Sequence, residues 1–372
     1  MQAADTLLQM VRDNAAIRAF ADRIQQQASL LKKPLRIMEV CGGHTHAILE
    51  HGLDQLLPDN IRLIHGPGCP VCVLPQHRID AAINLARRPD TILVTLGDMI
   101  RVPGNNGVTL QRIRAAGADV RYLYSPLDCL AIAADNPAKT VIYFAIGFET
   151  TAPATALLLQ QALDQQLSNL YIHGNHVLVP QAMELILAAG GAVDAFIAPG
   201  HVSVMAGAGP YRTLAKKYQA PVVIAGFEPV DLLDAVLRII DQLNDGRAEV
   251  DNAYGRFVKT AGNRKAQQLV AKYFEPHDDF LWRGIGRIPG SALKLRRAYA
   301  ERDAEVQFPE SCPAPTEEKA GNCLCGSILL GLAQPTDCSL FADGCTPQNP
   351  QGSCMVSNEG ACAAYYKYRR VC

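Results

Sequence analysis

The chain opens on a helical period. Leu7, Leu8, Val11, Ile17, Phe20, Ile24 and Leu31 fall on one broad face of residues 4–31, which predicts an amphipathic helix ended by Pro34. The pattern then changes to short apolar runs, many β-branched and bounded by Gly or Pro. Residues 36–40, 61–65, 91–96, 120–124, 140–146, 170–173, 195–198 and 221–225 read as strands of the buried, parallel kind. Helical stretches fit between several of them, at residues 76–86, 107–116, 153–167, 180–189 and 229–243. Alternating β and α elements imply parallel sheets covered by helices, so the expected fold class is α/β.

The expected organisation is an N-terminal helix over 1–33 packed on the core, α/β domains over 34–135 and 136–248, and a smaller third domain over 249–372. A break near residues 125–140 separates the two α/β domains. A faint repeat accompanies it. Gly147-Phe148-Glu149 and Gly226-Phe227-Glu228 both follow apolar strands and precede helices. His65-Gly66-Pro67-Gly68 and Ala198-Pro199-Gly200-His201 are likewise strand-end turns. Beyond residue 250 the chain is more charged and holds the only tryptophan, Trp282, and residues 311–372 are rich in Cys, Gly and Pro. A metal cluster is the natural substitute for a large apolar core there.

Composition narrows the class. Of 372 residues 49% are apolar and 19% charged, which excludes wholesale disorder. A net charge of −1 argues against a nucleic-acid or anionic-membrane partner. No apolar run is long enough to span a bilayer, and residues 1–14 lack the pattern of a signal peptide. The expectation is a cytoplasmic protein. Its twelve cysteines are unevenly spread, four in the first 311 residues and eight in the last 61. In a reducing compartment such crowding points to metal or redox chemistry.

Three clusters carry that chemistry. Cys41-Gly42-Gly43-His44-Thr45-His46 follows a strand end, where parallel sheets bind ligands, and combines a thiol with two imidazoles suited to iron, zinc or copper. Cys69-Pro70-Val71-Cys72 is a dithiol that can cycle as a disulfide or hold a metal; a helix opened by Pro70 would lower the Cys69 pKa. The third is the tail array Cys323, Cys325, Cys338, Cys345, Cys354 and Cys362. Its wide, irregular spacing lacks zinc-finger knuckles and fits a cubane iron–sulfur cluster on four thiolates, with two thiols to spare. A zinc-stapled tail is the alternative. Asp98, Glu149, Glu228, His176 and His201 sit at other strand ends, as orienting groups, proton carriers or helix caps. Cys129 has no motif and reads as a small buried residue, and no Walker A loop is present.

The run from Met38 through His46, with Gly66-Pro67-Gly68-Cys69-Pro70-Val71-Cys72, resembles the HypD family of hydrogenase maturation factors. So do Gly147 through Pro153, Gly174-Asn175-His176, Ala198-Pro199-Gly200-His201, Cys345-Thr346-Pro347 and Cys354-Met355-Val356-Ser357. The resemblance covers the chain from about residue 30. It implies two α/β domains plus a third with a [4Fe–4S] cluster. It also implies a scaffold on which iron acquires two cyanides and one carbon monoxide for nickel–iron hydrogenases. The implied partners are a small HypC-type chaperone sharing the iron, a HypE-type donor carrying cyanide as a thiocyanate made by HypF, and indirectly the hydrogenase large subunit. By the same resemblance Cys41 is the iron ligand, His44 a second ligand, orienter or proton donor, and Cys69 with Cys72 the redox dithiol. The family's cluster spacing lands on Cys323, Cys338, Cys345 and Cys362, with Cys325 and Cys354 as a spare redox pair or alternative ligands. A free-standing iron–sulfur disulfide oxidoreductase is the competing reading.

Overall fold

The computed structural model describes residues 13–190, 193–315 and 322–369. The chain divides into two compact units, each assembled from separate stretches. The first takes residues 1–69, 182–263 and 322–372; the second takes 70–181 and 264–321. The fold class is α/β, as expected, with two mostly parallel sheets.

The sheet of the first unit runs Ile61–His65, Leu35–Glu39, Ala195–Pro199, Val222–Ala225, Val250–Asn252, every pairing parallel. Ala195–Pro199 and Val222–Ala225 are buried along their whole length, as central parallel strands under helices must be. Helices Asn14–Ala28 and Pro229–Asn244 pack together, and Ile24, Leu232, Val236 and Ile240 join Ile37, Ile197 and Val223 in one core. Pro229–Asn244 starts where it does because Glu228 and Asp231 form a reciprocal capping box around Pro229.

The first helix ends six residues before Pro34. Its last-turn carbonyl, on Ala28, is taken by the Asn60 side chain at 2.8 Å, and Leu30 lies exposed beyond it. Residues 4–12 of the expected helix lie outside the described residues.

The sheet of the second unit runs Phe274–Pro276, Ala292–Leu295, Leu170–Val177, Thr140–Gly147, Thr91–Leu96, Asp119–Leu123. The last four are mutually parallel; the first two join antiparallel. Val94, Tyr143, Leu158, Leu159, Ile172 and Phe274 share its core with Cys129, which is fully buried. A two-stranded ribbon, Phe280–Trp282 with Gly286–Ile288, buries Trp282, whose Nε1 donates to Ser291 Oγ at 2.8 Å.

These pairings differ from the consecutive division read from the sequence. Thr91–Leu96 lies in register beside Thr140–Gly147, so one sheet crosses the expected break. The stretch 249–372 is shared out: Val250–Asn252 extends the first sheet, residues 264–321 group with the second unit, and residues 322–372 return to the first. Hydrophobic period reports which face an element buries, not which strand it pairs with. Among the described residues no helix is long and apolar enough to cross a membrane.

Candidate functional site

Strand connectivity locates the site. In the first unit Leu35–Glu39 leads to Ile61–His65 on one side, whereas Ala195–Pro199 on its other side leads away to Val222–Ala225. Connections that diverge from two adjacent parallel strands leave a crevice at their carboxyl ends, the usual ligand position of such sheets. Cys41 and His44 follow one of these strands and His201 the other.

Glu39 organises the crevice. Its carboxylate is fully buried, and Oε2 accepts the backbone N–H of Cys41 at 2.8 Å. Oε1 accepts the Thr45 hydroxyl and lies 2.7 Å from His65 Nδ1. Two backbone bonds lace the same loops together: Gly66 N–H to Glu39 O at 2.8 Å, and Gly42 N–H to Gly68 O at 3.0 Å. Gly68 has to be glycine, because a Cβ there would fall on the backbone of Cys41.

Cys41 is the N-cap residue of helix Gly42–Glu50. Its thiol is pushed up to about 12, chiefly by burial and then by the Glu39 carboxylate, against the lowering pull of the His44 and Gly43 amides. A thiol so placed is protonated at neutral pH, and any metal ion bound there would have to displace its proton.

His44 is fully buried, and burial holds its pKa below the usual histidine range. Neither ring nitrogen has a hydrogen-bond partner; the carbonyls of Ala225 and Gly226 approach outside bonding geometry. Its ring packs on Phe227 with centroids 4.9 Å apart, and Phe227 in turn packs on His201 at 4.1 Å.

The tail closes on the same loop. His46 bonds to the Asn358 carbonyl, and its Nδ1 lies 3.3 Å from the Tyr368 hydroxyl. The His65 ring meets Tyr365 edge-on. Helix Ala361–Tyr368 packs on Gly42–Glu50 through Leu49, Ala364 and Tyr365, and a Cβ on Gly42 would strike Glu359.

Cys362 lies on that helix and brings the thiol cluster with it. Cys323, Cys325, Cys338, Cys345, Cys354 and Cys362 line one small pocket walled by Ile328, Phe341 and Met355. Cys325 and Cys354 are in contact, Sγ to Sγ 2.7 Å. The Cys345 sulfur accepts the Gln351 amide at 3.3 Å. Gly352 leaves room for Cys323, whose sulfur would lie 2.8 Å from a Cβ there. Burial and the neighbouring sulfurs push the Cys362 thiol well up. Among the described residues no three His, Cys, Asp or Glu side chains converge tightly enough to hold a single metal ion. Six sulfurs spread around one pocket suit a polynuclear iron–sulfur group, which takes its thiolates at separate corners.

Cys69 and Cys72 are both buried and both disulfide-bonded. Cys69 ends the loop laced to Cys41, and Cys72 lies in the short helix Pro70–Val73 that follows.

The remaining strand-end residues have local partners. Glu228 caps its helix, Glu149 accepts the Val179 amide at 3.0 Å, and His176 sits between the Thr151 and Thr155 hydroxyls. Asp98 pairs with Arg101. Sequence reasoning gave no role to Glu39, His65, Phe227 or Glu359. An acid closing a buried strand was the one available signal, for Glu39.

The family model described as "HypD: Hydrogenase formation hypA family" matches residues 15–369. The chain is 52% identical over 365 residues to the hydrogenase maturation factor HypD of Azotobacter vinelandii, covering 96% of each chain. It is 50% identical over 366 residues to HypD2 of Bradyrhizobium diazoefficiens, again 96% of each. It is 46% identical over 355 residues to the HypD of Escherichia coli K12, 94% of each. The chain belongs to the HypD family of hydrogenase maturation factors.

Proposed function

We propose that this protein is the scaffold on which iron acquires cyanide and carbon monoxide, and that Cys41 is its iron ligand. The iron here is cargo. The observation that carries the reading is the crevice itself: a free thiol and a buried imidazole without a partner, set at the switch point of a parallel sheet. A thiolate is a soft anionic donor suited to low-spin ferrous iron bearing such ligands. His44 is three residues along, on the helix that Cys41 caps, and serves in this reading as second ligand or proton donor. A HypC-type chaperone shares the iron, and a HypE-type protein brings cyanide as a thiocyanate.

Releasing that cyanide takes two electrons. The reduced Cys69/Cys72 pair supplies them with two protons and closes to a disulfide. The carbon–sulfur bond of the thiocyanate breaks; its sulfur keeps one proton as a thiol, and cyanide passes to iron as the other proton is released. A low-potential electron-donor protein restores the dithiol. In this reading Cys323, Cys338, Cys345 and Cys362 would hold a [4Fe–4S] cluster, with Cys325 and Cys354 as a spare pair; the one pocket that all six line and the Cys325–Cys354 contact support it. When bound, that cluster supplies one-electron transfer.

An infrared spectrum of the anaerobically purified protein, co-produced with the small chaperone, tests the reading. Cyanide and carbonyl bands are expected, and they should vanish in Cys41→Ala. That Cys69 and Cys72 are each disulfide-bonded also favours a second reading, a free-standing disulfide oxidoreductase. Absent bands from an intact complex, with rapid reduction of small disulfides by the isolated protein, would establish that one instead.

A further inference from the structure

The ring of Phe227 occupies an unusual place. It packs against His44 on the Cys41 helix and against His201 at the end of the neighbouring strand, with centroid separations of 4.9 and 4.1 Å. It also packs down on the Cys41 loop. A Cβ on Gly43 would lie 3.1 Å from the Phe227 ring and 3.7 Å from the Cys41 sulfur, so ring and sulfur border one point. The ring is itself held from behind. Tyr254 meets it edge-on at 6.2 Å, and Arg256 stacks over Tyr254 while pairing with the buried Asp231. Gly226 has no room for a side chain, since a Cβ would come within 2.6 Å of Tyr254.

Two imidazoles are therefore fixed to one aromatic wall beside the sulfur. His44 lies wholly buried with both nitrogens unpartnered; His201 lies at the exposed side. Resting on the scaffold reading above, we infer that Phe227 is a positioning residue that fixes His44 and His201 so that each gives a ring N–H to one iron-bound cyanide. The chemistry discriminates between the diatomic ligands. The nitrogen of a metal-bound cyanide is a strong hydrogen-bond acceptor, whereas the oxygen of a metal carbonyl is a poor one and is better matched to an apolar wall. Two donors and one aromatic face thus complement two cyanides and one carbon monoxide.

The test is infrared spectroscopy of the complex with its small chaperone, comparing the native protein with Phe227→Leu, His201→Phe and Phe227→Tyr. His201→Phe is expected to shift one cyanide band by several wavenumbers and leave the other in place. Phe227→Leu is expected to broaden and shift both cyanide bands with iron still bound, and Phe227→Tyr to restore native widths. A merely structural role would change band intensity and not band position. Native bands that neither His201→Phe nor Phe227→Leu moves would overturn this inference alone. A native complex without cyanide bands would overturn it together with the scaffold reading. Should Phe227→Leu fail to fold, His201→Phe at the exposed side still decides the matter.

Discussion

His65 Nδ1 lies 2.7 Å from the Oε1 of Glu39, and both side chains are buried at the carboxyl ends of adjacent parallel strands. The pair ties the strand that leads to Cys41 to the one that leads to Cys69. Glu39→Ala strands the donors of Cys41, Thr45 and His65 together. A loss of about 2–4 kcal/mol in urea unfolding is expected. Glu39→Gln keeps two of the acceptor contacts and should cost less than half as much. Equal midpoints for Glu39→Ala and the native protein would refute the bracing role.

Gly68 gives a sharper case. An added Cβ would lie 2.5 Å from the Cα of Cys41, backbone against side chain, with no flexible group to yield. Gly68→Ala is expected to cost at least about 3 kcal/mol. Gly97, which has open space around its Cβ position, is the matched control, and Gly97→Ala should move the thermal midpoint little.

The second unit carries opposing acid–base groups. Burial pushes His173 and His176 down from 6.5 to about 4, so they are neutral in the fold. Their contribution is intact above the unfolded value of 6.5 and is lost as pH falls through 4, on the order of 3 kcal/mol for each ring. Glu149 runs the other way. Burial raises it from 4.5 to about 7, so its contribution is present below 4.5 and is lost as pH rises through 7. Urea midpoints followed against pH should fall on both sides, and Glu149→Gln should flatten the alkaline side alone. An unchanged alkaline limb in that variant would assign the loss to another group.

The tail thiols separate by substitution. On the proposed ligand set, Cys338→Ser and Cys345→Ser should lose about four iron atoms and four sulfides per chain. Cys354→Ser should retain them, because its sulfur contacts Cys325 in the spare pair. Anaerobic iron and acid-labile sulfide analysis checks this; full loss in Cys354→Ser would exchange the two sets.

Element positions were legible because burial is periodic. Residues 61–65, 91–96 and 76–86 match observed elements end to end. Leu170–Val177 runs four residues past the expected strand, since Asn175 and His176 are polar residues that the sheet buries. Cys41 and His44 were legible as an unusual run of ligand types. Glu39, His65 and Phe227 were not, because their meaning lies in contacts between strand ends far apart in the chain. Strand partnership was equally hidden: nothing local to residues 35–39 says that they pair with 195–197.

That long-range pairing also sets a clock on biosynthesis. The strand bearing Glu39 gains its second neighbour only once Ile197 has been made, and the loop after it is covered only by residues near Tyr365 and Tyr368. Parallel pairing between such distant segments forms slowly, and a domain split across a chain cannot close ahead of its last segment. The Cys41 thiol is thus among the first groups to leave the ribosome and among the last to find its final surroundings.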